Sequence, residues 1–181
     1  INGDGKIDVN DRTDIGSPLP IFTFGWTNTF RYKNFDLSIF FNGSYGNKVL
    51  NYNAITLTHM NSPWTNQLNA VSSRAKLVPI DPDKVYEDGS NWFDDITNIK
   101  VANSGTKTPR ASINDPNDND RISDRYVEDA SYIRLKNLTL GYTFPKKLLS
   151  KAKIDNLRLY CNIQNLWTIT KYSGYDPEVG A

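Results

Sequence analysis

Several stretches of the chain place an apolar side chain at every second position. In "IFTFGWTNTFRY", Phe22, Phe24, Trp26, Phe30 and Tyr32 are aromatic and fall on one parity, while Thr23, Gly25, Thr27, Thr29 and Arg31 are small or polar. A period of two built from aromatic and β-favouring residues predicts a strand with one apolar face. Lys33–Asn34 reads as a two-residue turn, and "FDLSIFFNGSYG" then sets Phe35, Leu37, Ile39 and Phe41 against Asp36, Ser38, Phe40 and Asn42. Such a turn puts Tyr32 opposite Phe35, so both must point the same way. Both belong to the apolar sets, and the hairpin is self-consistent.

The pattern returns near the end of the chain. Leu138, Leu140, Tyr142 and Phe144 share a face against Thr139, Gly141 and Thr143, but Ile133 and Leu135 sit on the opposite parity with Arg134 and Lys136 between them. Either a bulge near Asn137 reconciles the two phases, or the strand turns its basic residues outward at one rim. "PKKLLSKAKIDN" reads as a short connector with one helical turn. After it, Leu157, Leu159, Cys161, Ile163 and Trp167 alternate with Arg158, Tyr160, Asn162 and Gln164. Between the two patterned regions, about residues 46–125, the chain is rich in Asn, Asp, Ser, Thr and Pro. "TNQLNAVSSRAKL" predicts a short helix there, and the remainder reads as loop.

The expected order is thus loop 1–20, hairpin 21–45, long loop 46–125, two strands with a short connector over 126–169, and loop 170–181. Short connections alternate with long ones, as in outer-membrane barrels with brief periplasmic turns and extended external loops. On that layout Phe30, Tyr32, Phe35, Tyr142 and Phe144 gather at the periplasmic interface, and Tyr45, Tyr132 and Trp167 at the outer one. A soluble, secreted β-sandwich binding module fits the same periodicity. Strands near the ~9–11 residues that cross a bilayer at a tilt favour the barrel, and so does a loop too long for a compact soluble domain. The expected fold class is all-β: about four strands of a larger antiparallel transmembrane barrel with long extracellular loops.

Composition removes several other classes. The 181 residues carry a net charge of +1, and no basic patch or reading motif suggests a nucleic-acid partner. Cys161 and His59 are the only cysteine and histidine, which excludes internal disulfides and multi-histidine or cysteine-based metal sites. No nucleophile-elbow pattern accompanies His59, which reads as a polar loop residue. No apolar run reaches the ~20 residues of a membrane helix, a test that barrel strands escape. The chain opens on Ile without a charged or apolar leader, as expected of a piece cut from something longer.

Candidate chemistry begins at "INGDGKIDVND". With Gly5 at the sharp turn, Asn2, Asp4, Lys6 (through its carbonyl), Asp8 and Asp11 fall at the spacing of a calcium loop whose first ligand would precede Ile1. The competing reading is an Asx-rich turn without metal. A dockerin-like pairing of such loops would need a second copy and paired helices, which the sequence lacks. Trp64, Trp92 and Phe93 lie in the long loop, where flat aromatic faces among Asn and Asp suit carbohydrate rings. For any one of them, anchoring the loop on itself or on a partner is the stronger reading. "DPNDNDR" reads as a solvated turn before it reads as a second ion loop. The neighbouring carboxylates Asp94–Asp95 and Glu128–Asp129 do not make a hydrolytic pair, which needs two carboxyls facing each other across a cleft.

Four segments occur in order: "NGDGKIDVNDR", "IGSPLPIFTFGWTNTFRYKNFDLSIFFNGSYGN", "SDRYVEDASYIRLKNLTLGYTFP" and "LRLYCNIQNLWTITKYSGYDPEV". Together they resemble the C-terminal barrel region of SusC/RagA-like TonB-dependent transporters. The resemblance implies a 22-stranded barrel in the outer membrane, with a plug and TonB box upstream that couple to the TonB complex. It also implies a SusD-like surface lipoprotein as lid, and a glycan or peptide as cargo. It implies no catalysis.

Overall fold

The computed structural model describes Gly3, residues 8–115 and residues 117–178. It separates into two units: Asp14–Leu50 with Val127–Ala181, and Ile1–Thr13 with Asn51–Tyr126.

The first unit is built on β1 (Phe22–Tyr32), β2 (Phe35–Tyr45), β7 (Tyr132–Thr143) and β8 (Arg158–Thr170), ordered β1-β2-β7-β8 in one antiparallel sheet. Tyr32 lies opposite Phe35 across the turn. Lys33 takes a φ of 53° there, the left-handed backbone such tight turns require. The connector from β7 to β8 holds α2 (Lys146–Leu149) and a further short turn, and Lys153 closes it at a φ of 56°. A short ladder of β3 (Lys48–Leu50) and β6 (Val127–Asp129) lies beyond β2 and before β7.

The parity conflict in β7 is resolved by an irregularity. Phe41 pairs with Leu135 while Phe40 pairs with Asn137, so Lys136 is the extra residue. β8 carries two unpaired residues at the same level, because Asn137 pairs with Gln164 and Leu135 with Trp167. Asn165 absorbs part of that excess at a φ of 49°. Ile133, Leu135, Leu138, Leu140 and Tyr142 are thereby restored to one face, each opposite an apolar or glycine position on β2.

That face is uncovered. Trp26 stacks on Phe41 at 5.7 Å and Phe41 meets Trp167 at 5.9 Å, so the rings lean on one another side by side. Yet Trp26 keeps 58% and Leu159 59% of its surface exposed. No large side chain among the described residues is fully buried. A β-sandwich would seal these rings between two sheets, so the exposed face argues against the soluble alternative. No helix among the described residues is long and apolar enough to cross a membrane.

The second unit departs from the expected loop. It contains α1 (Tyr52–Thr58), a 3-10 turn over Asn69–Ser73 where a helix was expected, and a two-stranded ladder of β4 (Leu77–Pro79) and β5 (Ile99–Val101). Three-residue strands are too short to display alternation, so the sequence pattern passed over them. Asn51 caps α1 by accepting the Ala54 N–H at 3.0 Å.

Glycine matters most at Gly43, between Phe24 and Ile133 in the ladder. A Cβ added there would lie 2.5 Å from the Tyr132 carbonyl oxygen and inside the Phe24 ring. Gly43→Val is therefore expected to destabilise the sheet by about 1–3 kcal/mol, the usual cost of overpacking. Thr29→Val, on the exposed edge strand, should cost little. Thermal unfolding of the two full-length variants, side by side, checks the difference.

Candidate functional site

The polar face of the sheet holds a bidentate ion pair. Arg158 donates through Nε to Asp36 Oδ1 at 3.0 Å and through Nη2 to Oδ2 at 2.5 Å. The pair crosses above Gly141, which stands between Asp36 and Tyr160 in the register. Fork-on-carboxylate geometry of this kind is the strong form of the contact. Ser38, Thr139 and Asn162 continue the face, and Asn162 Nδ2 donates to Thr139 Oγ1 at 3.1 Å.

At the other end of the sheet Arg134, 4% exposed, donates to Thr168 Oγ1 at 2.8 Å and to Glu178 Oε2 at 2.8 Å, and to Asp176 Oδ1 at 2.5 Å. Lys136 adds a bond to Glu178 at 2.7 Å. The Arg134 guanidinium holds the Asp176 carboxyl below its ordinary value, with burial opposing it and the Glu178 N–H assisting. None of these partners stood out in the sequence. Asp176 and Glu178 lie more than forty residues downstream of Arg134, so spacing gave no signal.

Of the calcium-loop residues, Asn2, Asp4 and Lys6 lie outside the described residues. Asp8 caps a 3-10 turn over Val9–Asp11, and Asp11 within it answers reciprocally: Asp8 Oδ1 accepts the Asn10 N–H at 2.8 Å, and Asp11 Oδ2 accepts the Asp8 N–H at 3.0 Å. Side-chain-to-backbone bonds of this sort are those of the Asx-turn reading. The donor set, all hard oxygens, is chemically suited to calcium.

Trp64 is 92% exposed. Trp92 is half-buried and meets Phe93 edge-on at 5.8 Å. No ring contact joins the two tryptophans among the described residues, so the structure does not assemble them into one platform. Phe93 instead lines a cleft of about 540 Å³ together with Leu77, Ile96, Ile99 and Arg110.

Two side-chain networks order this unit. Asp95 accepts from Lys84 at 2.6 Å, from the Thr97 backbone and hydroxyl at 3.0 and 2.6 Å, and from the Tyr86 hydroxyl at 3.1 Å. Buried Asn98 then bonds the Tyr86 hydroxyl and both sides of the Asp81 backbone. The second network surrounds His59, which the sequence reads as a polar loop residue. Its Nε2 lies 3.1 Å from Asp115 Oδ2 and its Nδ1 3.7 Å from Asp120 Oδ2. One nitrogen and two carboxylate oxygens fall within 4.8 Å of one another, a set able to take a divalent cation. Burial pushes the Asp115 carboxyl up, but bonds from Asn119 and His59 outweigh it and the net direction is down. Asp115, Asn119 and Asp120 are thus joined to one another or to His59 by side-chain contacts.

Asp95 gives a pH prediction. Its carboxyl is held well below the ordinary 3.8, chiefly by Lys84 and next by Thr97. A lowered native value stabilises the fold above the unfolded pKa, and that contribution is lost as pH falls through the native one. Amide exchange over residues 81–98 should stay slow from neutral pH to about 4 and, at lower pH, rise beyond the intrinsic trend. Asp95→Asn should show the fast exchange already at neutral pH.

Comparison with known proteins follows the sheet. No family model matches the chain. TonB-dependent receptor P3 of Formosa agariphila is 39% identical over 98% of the chain. TonB-dependent receptor P39 of the same organism is 34% identical over 99%, and TonB-dependent receptor SusC of Bacteroides thetaiotaomicron 28% over 98%. The chain spans about 15% of the length of each. Among solved structures, the RagAB peptide transporter aligns with a TM-score of 0.62 at 23% identity, over 90% of this chain and 15% of that one. The RagAB peptide importer in its open-open state aligns at 0.58 and 24%, over 91% and 15%. The likeness to these structures is one of fold.

Proposed function

The chain belongs to the TonB-dependent receptors that include SusC, and from that premise we propose that its sheet is part of the wall of an outer-membrane importer. The observation that carries the reading is the two-faced sheet. Aromatic and aliphatic groups stand uncovered on one side, and an ion pair with hydroxyl and amide groups lines the other. Lipid can cover the first without any packed interior, and a water-filled lumen suits the second. Strands of 11 to 13 residues are long enough to cross a bilayer at a tilt. β1 and β8 both present long open edges, which neighbouring strands of a 22-stranded barrel would close.

On this reading no residue here does chemistry. The wall conducts, and the unit holding Trp64 and Trp92 captures solute at the outer surface. A SusD-like lipoprotein closes over it, and the TonB complex acts through a plug outside this chain. The cargo we favour is an oligosaccharide, with peptides as the second class. Asn2, Asp4, Lys6, Asp8 and Asp11 would hold calcium and stiffen the segment before β1.

Cys161 tests the faces directly, because it is exposed on the apolar side. In the full-length receptor, in membranes and with no other cysteine, Cys161 should react with a lipid-phase maleimide and resist a charged one. With Cys161→Ser and Asn162→Cys the preference should reverse; equal labelling of both positions would end the wall reading. Replacing Trp64 and Trp92 together by Ala should weaken solute binding by the full transporter about tenfold, roughly 1.4 kcal/mol. Unchanged affinity would remove both residues from the capture site.

A further inference from the structure

We propose that Arg134 is a positioning residue of the transport path. With Lys136 it pins the segment Tyr172–Glu178 onto the polar face of β7 and β8. That folded-back strap, together with the strand wall, then sets how large a solute passes there. The proposal rests on the reading of the polar face as the lumen side.

Arg134 stands between Asn42 and Thr168 in the register, on the same face as the Asp36–Arg158 pair. The chain leaves β8 at Thr170 and turns back. Tyr172 donates its N–H to Thr170 Oγ1 at 3.1 Å, and Ser173 is gripped by Glu128 through both its N–H and hydroxyl at 2.7 Å. Pro177 is buried. Asp176 and Glu178 on either side of it take the Arg134 guanidinium, and Asp176 also accepts the Glu178 N–H at 2.9 Å. Tyr175 projects, 93% exposed.

The charge arithmetic makes this a seat and not a passing contact. Two cations, Arg134 and Lys136, meet two carboxylates, Asp176 and Glu178. Arg134 is almost wholly covered with the strap in place, so its ion pairs are screened by water and salt far less than exposed ones are. Removing one partner of a buried pair is far costlier than removing both. The guanidinium also stacks on Tyr132 at 5.4 Å from the ring centroid, which holds its fork toward the strap. A Lys at this position would keep the charge and lose the fork.

The test uses the full-length receptor with Cys161→Ser and a reporter Asn137→Cys, one ladder step inward of Lys136 on the polar face. A small maleimide and a long polyethylene-glycol maleimide are added from outside. With the strap seated, the long probe should react about tenfold more slowly than the small one. Asp176→Asn with Glu178→Gln should bring the two rates together and speed amide exchange over residues 172–178. These changes leave the strands untouched. Arg134→Gln should act likewise, and Arg134→Lys should fall between. If the ratio of the two rates is the same with and without the strap carboxylates, the proposal is overturned, even where exchange rises. If the small probe fails at position 137 but reacts at Leu138→Cys, the lumen reading has failed and takes the proposal with it. Reaction at 137 with an unchanged ratio sinks the strap alone.

Discussion

An apolar face without a cover is the constraint from which the rest follows. Folding in water requires greasy side chains to be covered, and here Phe22, Trp26, Phe30, Phe35 and Leu159 stay exposed even where they touch their neighbours. The backbone is nonetheless paired along three ladders, with only the outer edges of β1 and β8 left open. On the proposed reading a bilayer covers the apolar face and a barrel lumen wets the other, and a closed barrel satisfies every backbone group without an edge.

The ion pairs follow from the same constraint. Asp36 and Arg158 are 122 residues apart, yet the ladders set Asp36 opposite Gly141 and Arg158 opposite Thr143, close enough on one face to pair. Arg134 is paired by a segment beyond β8. On the strands charge keeps to the polar face, where Arg134, Lys136 and Arg158 each meet a carboxylate. Outside the sheet, order comes by another route. The unit spanning Asn51–Tyr126 has only short backbone ladders, and side chains of Asp, Asn and Thr satisfy what the ladders leave over.

What the sequence disclosed divides along this line. Strands that alternate over eleven or more residues declare themselves, and the Tyr32–Phe35 register follows from the turn alone. Even the bulge was legible, because Ile133 and Leu135 break parity with Leu138 and Leu140. Its position at Lys136 was visible only to within one residue. The long central segment was opaque for the opposite reason. Its contacts, such as His59 with Asp115 or Lys84 with Asp95, join residues by individual geometry. No period encodes them. Trp64 was chosen for its residue type, and nothing in the sequence indicated that Phe93, and not Trp92, would line the cleft.

The uncovered face bears on how such a chain can diverge. A side chain that meets a fluid need match its surroundings in kind and not in shape, so Phe35 or Ile163 can drift among apolar types with little consequence. Evolutionary memory is instead written on the opposite side. Asp36, Gly141 and Arg158 form an interlocked set in which a change at one member strands the others. Relatives of this chain should therefore look most alike where a soluble protein's relatives look least alike, on the surface turned toward water.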